Sequence, residues 1–342
     1  MSTPLALQPL LARLVQGNRL SESDAEQLFE AIIADKATPA QIGAALTAMA
    51  IRGETVEELT AAVRTMRKHL IPISGGTDAI DCCGTGGDGH GTLNISTAVA
   101  FVVAACGVPV AKHGNRAASS RSGAADVLGA LGIPIACPEK AEQMLARHGL
   151  AFMFAPTHHP AMRAVGAIRR ELGFRTLFNL AGPLSNPANT RRQLVGVYDA
   201  RWLIPVAESL KRLGSLSAWV VHGSDGLDEL TITGASEVAI LAEGRIERRT
   251  VVPEDAGLPR ASLADIQGGD PSENAAALTR LLNGETGAYR NIVLLNAAAG
   301  LMVAGKAADL TAGVALAEAA IDDGRARALL KNLADDLTDT DL

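Results

Sequence analysis

Asp81-Cys82-Cys83-Gly84-Thr85-Gly86-Gly87-Asp88-Gly89-His90-Gly91-Thr92-Leu93-Asn94-Ile95-Ser96-Thr97 decides how the rest of the chain is read. Ala79 and Ile80 lead into it as the end of a strand. Five glycines follow in the eight residues from Gly84 to Gly91, then Asn94, Ser96 and Thr97 stand as a polar cap before the apolar run Ala98 to Ala104. A strand, a glycine loop, a cap and a helix expose backbone N–H groups at a helix N-terminus, which is a natural place for an anion. Gly84-x-Gly86-x-x-Gly89 formally matches the dinucleotide fingerprint, but that fold needs an acid at the end of its second strand. Here the second strand, Val108 to Ala111, ends in Lys112-His113. A phosphate-bearing substrate is therefore expected, and a nicotinamide dinucleotide is not.

Working outward, Lys112-His113-Gly114-Asn115-Arg116-Ala117-Ala118-Ser119-Ser120 forms a second polar loop at a strand end. Both loops should open at one edge of a parallel sheet, where open α/β sheets bind ligands. Strand candidates at 79–83, 108–111, 151–154, 194–198 and 218–221 alternate with helices at 96–106 and 122–131, which predicts an α/β fold with a mainly parallel sheet. Leu227–Ile232, Val238–Leu241 and Arg245–Val252 read as antiparallel strands, and 274–283, 292–302 and 310–335 as closing helices. Residues 158–190 break the alternation: His159-Pro160 opens a helix through Met162, Val165, Ile168 and Leu172, and Phe174–Leu184 is rich in turn signals. The first 70 residues read as helices only, with Ser21, Thr38-Pro39 and Thr55-x-x-Glu58 as N-terminal signatures.

Asp228-Glu229 follows the Gly223–Gly226 turn. Adjacent hard oxygen ligands beside a phosphate site suit Mg²⁺, which binds through one or two carboxylates plus substrate phosphates. His158-His159 is not expected to bind metal, because neighbouring residues do not share a helical face. The 342 residues carry 48% hydrophobic and 20% charged side chains, a globular composition, and the net charge of −6 lacks the basic footprint of a nucleic-acid binder. Cys82, Cys83, Cys106 and Cys137 show no metal or redox spacing, and no signal peptide or membrane-length apolar run is visible. A cytoplasmic protein bound to neither nucleic acid nor membrane is expected.

These motifs together resemble the anthranilate phosphoribosyltransferase family. Gly84-Thr85-Gly86-Gly87-Asp88, Asn94-Ile95-Ser96-Thr97, Lys112-His113-Gly114-Asn115-Arg116, Ser119-Ser120-x-Ser122-Gly123 and Asp228-Glu229 carry the likeness. So does Arg175-Thr176-Leu177-Phe178-Asn179-x-x-Gly182-Pro183-Leu184-x-Asn186-Pro187, and the likeness runs in order from about residue 5 to 335. It implies a small helical domain (1–73, joined by helices from about 158–190), a larger α/β domain (74–157 and 191–342), and a homodimer. The implied reaction moves phosphoribosyl from 5-phosphoribosyl 1-diphosphate to the amine of anthranilate, with two Mg²⁺ ions per subunit. By the same resemblance Gly84, Gly87, Asp88, Thr92, Asn94, Ile95, Ser96, Thr97, the Lys112–Ser120 loop and Ala124 bind phosphoribosyl diphosphate. Gly84, Asn115 and Arg169 contact anthranilate, Ser96 and Glu229 hold one Mg²⁺, and Asp228 and Glu229 the other. Leu93 stands where Phe is usual, and Ala124 where many members have Ser, which would remove one hydroxyl contact. A pyrimidine nucleoside phosphorylase would share the architecture but should lack the glycine loop and the Asp-Glu pair together. A silent, nucleic-acid-binding relative should show a basic face and eroded loops.

Overall fold

A computed structural model of the chain describes residues 7–116, 121–133 and 135–338. It opens on four helices, α1 (Gln8–Val15), α2 (Glu22–Ile33), α3 (Pro39–Arg52) and α4 (Val56–His69). The caps fall where the sequence places them. Ser21 Oγ accepts the Asp24 N–H, and Thr38/Gln41 and Thr55/Glu58 close reciprocal capping boxes. Each cap is worth about 1 kcal/mol. Glu58 does more than cap: fully buried, it also accepts from the Leu20 N–H at 3.2 Å and pairs with Arg52 at 2.5 Å, tying α3, α4 and the α1–α2 loop together.

The chain then enters a seven-stranded sheet in the order β3-β2-β1-β4-β5-β6-β7. Its strands are β1 (Ile80–Gly84), β2 (Val110–Gly114), β3 (Leu150–Phe154), β4 (Arg192–Gly196), β5 (Ser217–Gly223), β6 (Ser236–Ala242) and β7 (Arg245–Val251). β1 to β5 pair in parallel, and β6 and β7 add antiparallel. Between β1 and β3 lie α5 (Ile95–Ala105), α6 (Ala124–Ala130) and α7 (Pro138–His148). Between β3 and β4 come the short α8 (Ala155–His158), then α9 (Met162–Leu172) and α10 (Leu177–Leu184). α11 (Leu203–Arg212) links β4 to β5, and α12 (Pro271–Leu282), α13 (Ala288–Val303), α14 (Leu310–Asp322) and α15 (Arg325–Thr338) complete the chain.

Burial follows the two-residue period of a strand. Leu194, Trp219, Val221 and Val238 point into a core shared with α5, α13 and α14, whereas Val195, Ala218, Val220 and Ala239 point into the opposite core. That second core is continuous from the sheet through α10 and α11 into α1–α4 and α9, so the helical part is fused to one sheet face. Among the described residues no helix is long and apolar enough to cross a membrane.

Five segments differ from the sequence expectations. Phe174–Leu184 is mostly helix, not turns: α10 starts behind Thr176, and Pro183, which lacks the N–H for an i→i−4 bond, sits in its last turn, where the helix ends one residue later. Leu227–Ile232 is a loop rather than a strand. Its apolar Leu227, Leu230 and Ile232 are buried, but side chains supply the hydrogen bonds a neighbouring strand would give. The Asn296 amide bonds both the N–H and C=O of Leu230, and Ser236 Oγ accepts from the Thr231 N–H. The helix expected over 310–335 is broken at Gly324, whose φ of +82° ends α14 in a left-handed turn. α7 and α11 add two helices that the alternation did not anticipate. Beyond them, Glu243 (φ +51°) and Gly244 (φ +73°) form the tight turn of the β6–β7 hairpin. β7 exposes Arg245, Glu247, Arg248 and Arg249, with Arg248 paired to Glu237 across the ladder.

Candidate active site

The strand order reverses between β1 and β4, with Gly84 opposite Gly196 at their C-terminal ends. A crevice opens there in sheets of this kind. The glycine loop leaves β1 at this point, the Lys112 loop leaves β2 beside it, and the Asp228-Glu229 loop arrives from β5. Asp228 explains why glycine is required on both central strands. A β-carbon at Gly84 would lie 2.2 Å from Asp228 Oδ2, and one at Gly196 would lie 1.5 Å from the Asp228 carbonyl oxygen. The same Oδ2 accepts the Gly86 N–H at 2.7 Å. Gly86, Gly87, Gly89 and Gly91 hold φ between +61° and +82°, which lets the loop curl its amides inward.

The loop is pinned from outside. Thr85 N–H donates to the Gly196 carbonyl, and Thr85 Oγ1 accepts the Tyr198 N–H. Gln267 Nε2 donates to the carbonyls of His90 and Gly91, and Thr92 makes an isolated bridge to Gln267. Asp88 Oδ1 accepts the His90 N–H at 3.2 Å. Asn94 is the N-cap of α5, yet its side chain makes no cap bond; Oδ1 accepts from Asn274 and Nδ2 donates to the Ser122 carbonyl. Ile95 and Thr97 are buried, so only the backbone of that turn and Ser96 can face a ligand.

Lys112 is 3% exposed and its Nζ donates to the Cys82 carbonyl at 2.5 Å and to Ser96 Oγ at 3.2 Å. Around this buried cation lie the carboxyl groups of Asp228 and Glu229. Burial pushes Glu229 up to about 8, reinforced by repulsion from Asp228 and offset by Lys112. Burial, then Asp88, pushes Asp228 up to about 6, against the lowering effect of the Gly86 N–H. Two buried carboxyls, each held up by desolvation and by a neighbouring acid, gain most from a cation placed beside them. Among the described residues no three His, Cys, Asp or Glu side chains converge to enclose a metal alone. Two carboxylates completed by substrate oxygens are a donor set Mg²⁺ accepts, so the residues fit it.

The rest of the second loop is mixed. His113 is buried, its ring 5.1 Å from that of His159 and its N–H donating to Asp81. Gly114 faces Ala124, whose Cβ would be 3.5 Å from a β-carbon there. Asn115 and Arg116 are exposed, and Arg116 reaches Asp126 at 3.1 Å. Ala117, Ala118, Ser119 and Ser120 lie outside the described residues. Arg169 is half-buried with Nη2 on Asn179 Oδ1 at 3.0 Å, whereas Arg170 is exposed. Three residues the sequence reading gave no role also belong here. Arg175 stacks 4.0 Å over the Tyr198 ring and lies within 3.2 Å of where a Gly87 β-carbon would sit, so the α9–α10 turn overhangs the glycine loop. Asp81 accepts from the His113 N–H and from Asn186 Nδ2, whose amide also reaches the Ala111 carbonyl; this locks β1, β2 and the segment after α10 together.

Comparison with known proteins agrees with this geometry. A family model described as the glycosyl transferase family a/b domain matches residues 76–327, and one described as its helical bundle domain matches residues 8–70. The chain is 57% identical over 331 residues to the anthranilate phosphoribosyltransferase of Phenylobacterium zucineum, covering 96% of this chain and 98% of the relative. The chain belongs to the anthranilate phosphoribosyltransferase family. Anthranilate phosphoribosyltransferase from Thermus thermophilus superposes with a TM-score of 0.91 at 43% identity, covering 96% of this chain and 99% of that one. The Saccharomyces cerevisiae enzyme, solved in complex with PRPP and Mg, gives 0.89 at 25% identity over 98% and 99% of the two chains. The small helical domain and larger, mostly parallel α/β domain implied by the sequence are the architecture of this family of enzymes.

Proposed function

We propose that the chain transfers the phosphoribosyl group of 5-phosphoribosyl 1-diphosphate to anthranilate in L-tryptophan biosynthesis. The products are N-(5-phosphoribosyl)anthranilate and diphosphate. The observation that carries this is the meeting of the glycine loop with Asp228 at the reversal of strand order, beside the buried Lys112. An aromatic amine is neutral at pH 7 and already nucleophilic, so the reaction does not call for a dedicated base. The C1–N bond forms as the C1–O bond to diphosphate breaks, and the amine proton leaves to solvent. The harder task is to hold the departing negative charge, which the loop amides and Lys112 do by standing preorganised around it.

Mg²⁺ supplies Lewis-acid stabilisation of the diphosphate oxygens when bound. Ser96 with Glu229, and Asp228 with Glu229, would hold two such ions per subunit. Gly84, Gly87, Asp88, Thr92, the Asn94–Thr97 turn, the Lys112–Ser120 loop and Ala124 would bind the phosphoribosyl diphosphate. Gly84, Asn115 and Arg169 would take anthranilate, with Arg169 pairing to its carboxylate. The enzyme would work as a homodimer in the cytoplasm, on these two substrates and on neither nucleic acid nor membrane. The decisive assay mixes protein, anthranilate, phosphoribosyl diphosphate and Mg²⁺ and follows anthranilate fluorescence. Loss of signal that depends on all four components is expected, and its absence overturns the assignment.

A further inference from the structure

A second concave site lies on the opposite edge of the sheet. Thr190-Arg191 immediately precede β4 and Gly214-Ser215 shortly precede β5, so this cavity sits at the N-terminal ends of strands whose C-terminal ends form the active site. Its volume is about 390 Å³, and Arg67, Asn189, Thr190, Arg191 and Ser215 are among its lining residues. Such a volume takes a small molecule rather than a single water.

The lining is cationic without a counter-charge. Arg67, from the last turn of α4, donates Nε and Nη2 to one acceptor, the Leu184 carbonyl, at 3.0 and 2.7 Å. It has no ion-pair partner among the described residues, and burial alone draws its guanidinium down to about 10. Two other arginines with little exposed surface do have carboxylates, Arg52 with Glu58 and Arg290 with Asp322, whereas Arg169 of the active site bonds the Asn179 amide. Arg191 donates Nε to the Gly214 carbonyl at 3.1 Å and likewise has no ion pair among the described residues. Asp78, an acid near this edge, reaches Arg192 instead, at 3.9 Å. Thr190 is 1% exposed, and its Oγ1 has no hydrogen-bond partner among the described residues. A desolvated cation and a buried hydroxyl left unpartnered are both costly, and one ligand oxyanion relieves both. Two guanidinium groups match a doubly charged phosphate better than a single carboxylate.

We propose that this cavity is a second anion site, which takes a small phosphate-bearing molecule between Arg67, Arg191 and the Thr190 hydroxyl. The test holds the active site saturated with Mg²⁺ and diphosphate, then titrates inorganic phosphate and, separately, glycerol 3-phosphate while following the thermal midpoint. A further saturable rise with either probe supports the site, and the effective probe tells whether free phosphate or an ester is preferred. Arg191→Ala, a change at an exposed side chain, is expected to weaken that titration about tenfold or more while turnover stays at the unsubstituted level. Crystals soaked in selenate are expected to show an anomalous peak between Arg67 and Arg191. No saturable rise with either probe, an identical titration in Arg191→Ala, or selenate absent from the cavity would each overturn the proposal.

Discussion

Replacing Glu229 by glutamine separates the electrostatic cost of the site from its use. In the folded protein the Glu229 carboxyl is pushed up to about 8 from an ordinary 4.5. Between those values the folded state holds a proton that the unfolded chain has lost. The contribution of this carboxyl to the stability of metal-free protein is therefore greatest below pH 4.5 and is lost as pH rises toward 8. At about 1.4 kcal/mol per pH unit the full shift corresponds to roughly 5 kcal/mol, and because Asp228 shares the repulsion, a loss of order 3 kcal/mol belongs to this residue. Glutamine carries no titrating proton, so Glu229→Gln should abolish that part of the pH dependence. For a chain of this size 3 kcal/mol is about 4 °C in melting temperature. In EDTA, the variant should melt about 4 °C above the unsubstituted protein at pH 8.5, relative to their difference at pH 5. With Mg²⁺ present it should lose turnover by about 100-fold or more, because the same charge then faces a cation. Parallel melting profiles across pH, or turnover with an unchanged Mg²⁺ dependence, would refute the reasoning.

Gly196→Ala places a β-carbon 1.5 Å from the Asp228 carbonyl oxygen. It should displace the Asp228-Glu229 loop and cut kcat/KM by about 100-fold or more, with far-ultraviolet circular dichroism little changed. Asn186→Leu leaves Asp81 Oδ2 and the Ala111 carbonyl without their shared donor. The expected cost is about 2–4 kcal/mol, read as a lower urea midpoint. Arg169→Ala should raise KM for anthranilate about 10- to 100-fold while leaving KM for phosphoribosyl diphosphate near its original value. Thr55→Ala removes a capping box far from the chemistry and should cost about 1 kcal/mol with no change in turnover.

What the sequence revealed and what it hid divide along physical lines. The glycine loop was legible because positive φ demands glycine, and Gly86, Gly87, Gly89 and Gly91 all adopt it. The helical caps were legible because a cap and its N3 partner lie three residues apart. Gly196 was not: a lone glycine closing an apolar strand acquires meaning only when a loop 32 residues later presses its carbonyl against it. Asp81 and Asn186 were hidden for the same reason, since they meet across 105 residues. The Leu227–Ile232 loop imitates a strand in its apolar content, and only Asn296 and Ser236 reveal that side chains satisfy its backbone. α11 did carry a readable signal, because Leu203, Val206, Ala207 and Leu210 follow the i, i+3, i+4, i+7 stripe of a buried helical face.

The β6–β7 hairpin offers an experimental handle. β6 runs antiparallel to β5, and Ala242 pairs with Ser217, so the Glu243-Gly244 turn points away from the edge where the glycine loop lies. A dye, affinity tag or crystal-contact substitution placed at that turn would sit remote from the chemistry, at a tip where Ala242, Glu243, Gly244 and Arg245 are all exposed. The charged side chains of β7 also make that outer strand a poor template for another chain, since an added strand would have to accommodate Arg245, Glu247, Arg248 and Arg249 side by side. A protein immobilised through this hairpin should keep both its monodispersity and its turnover.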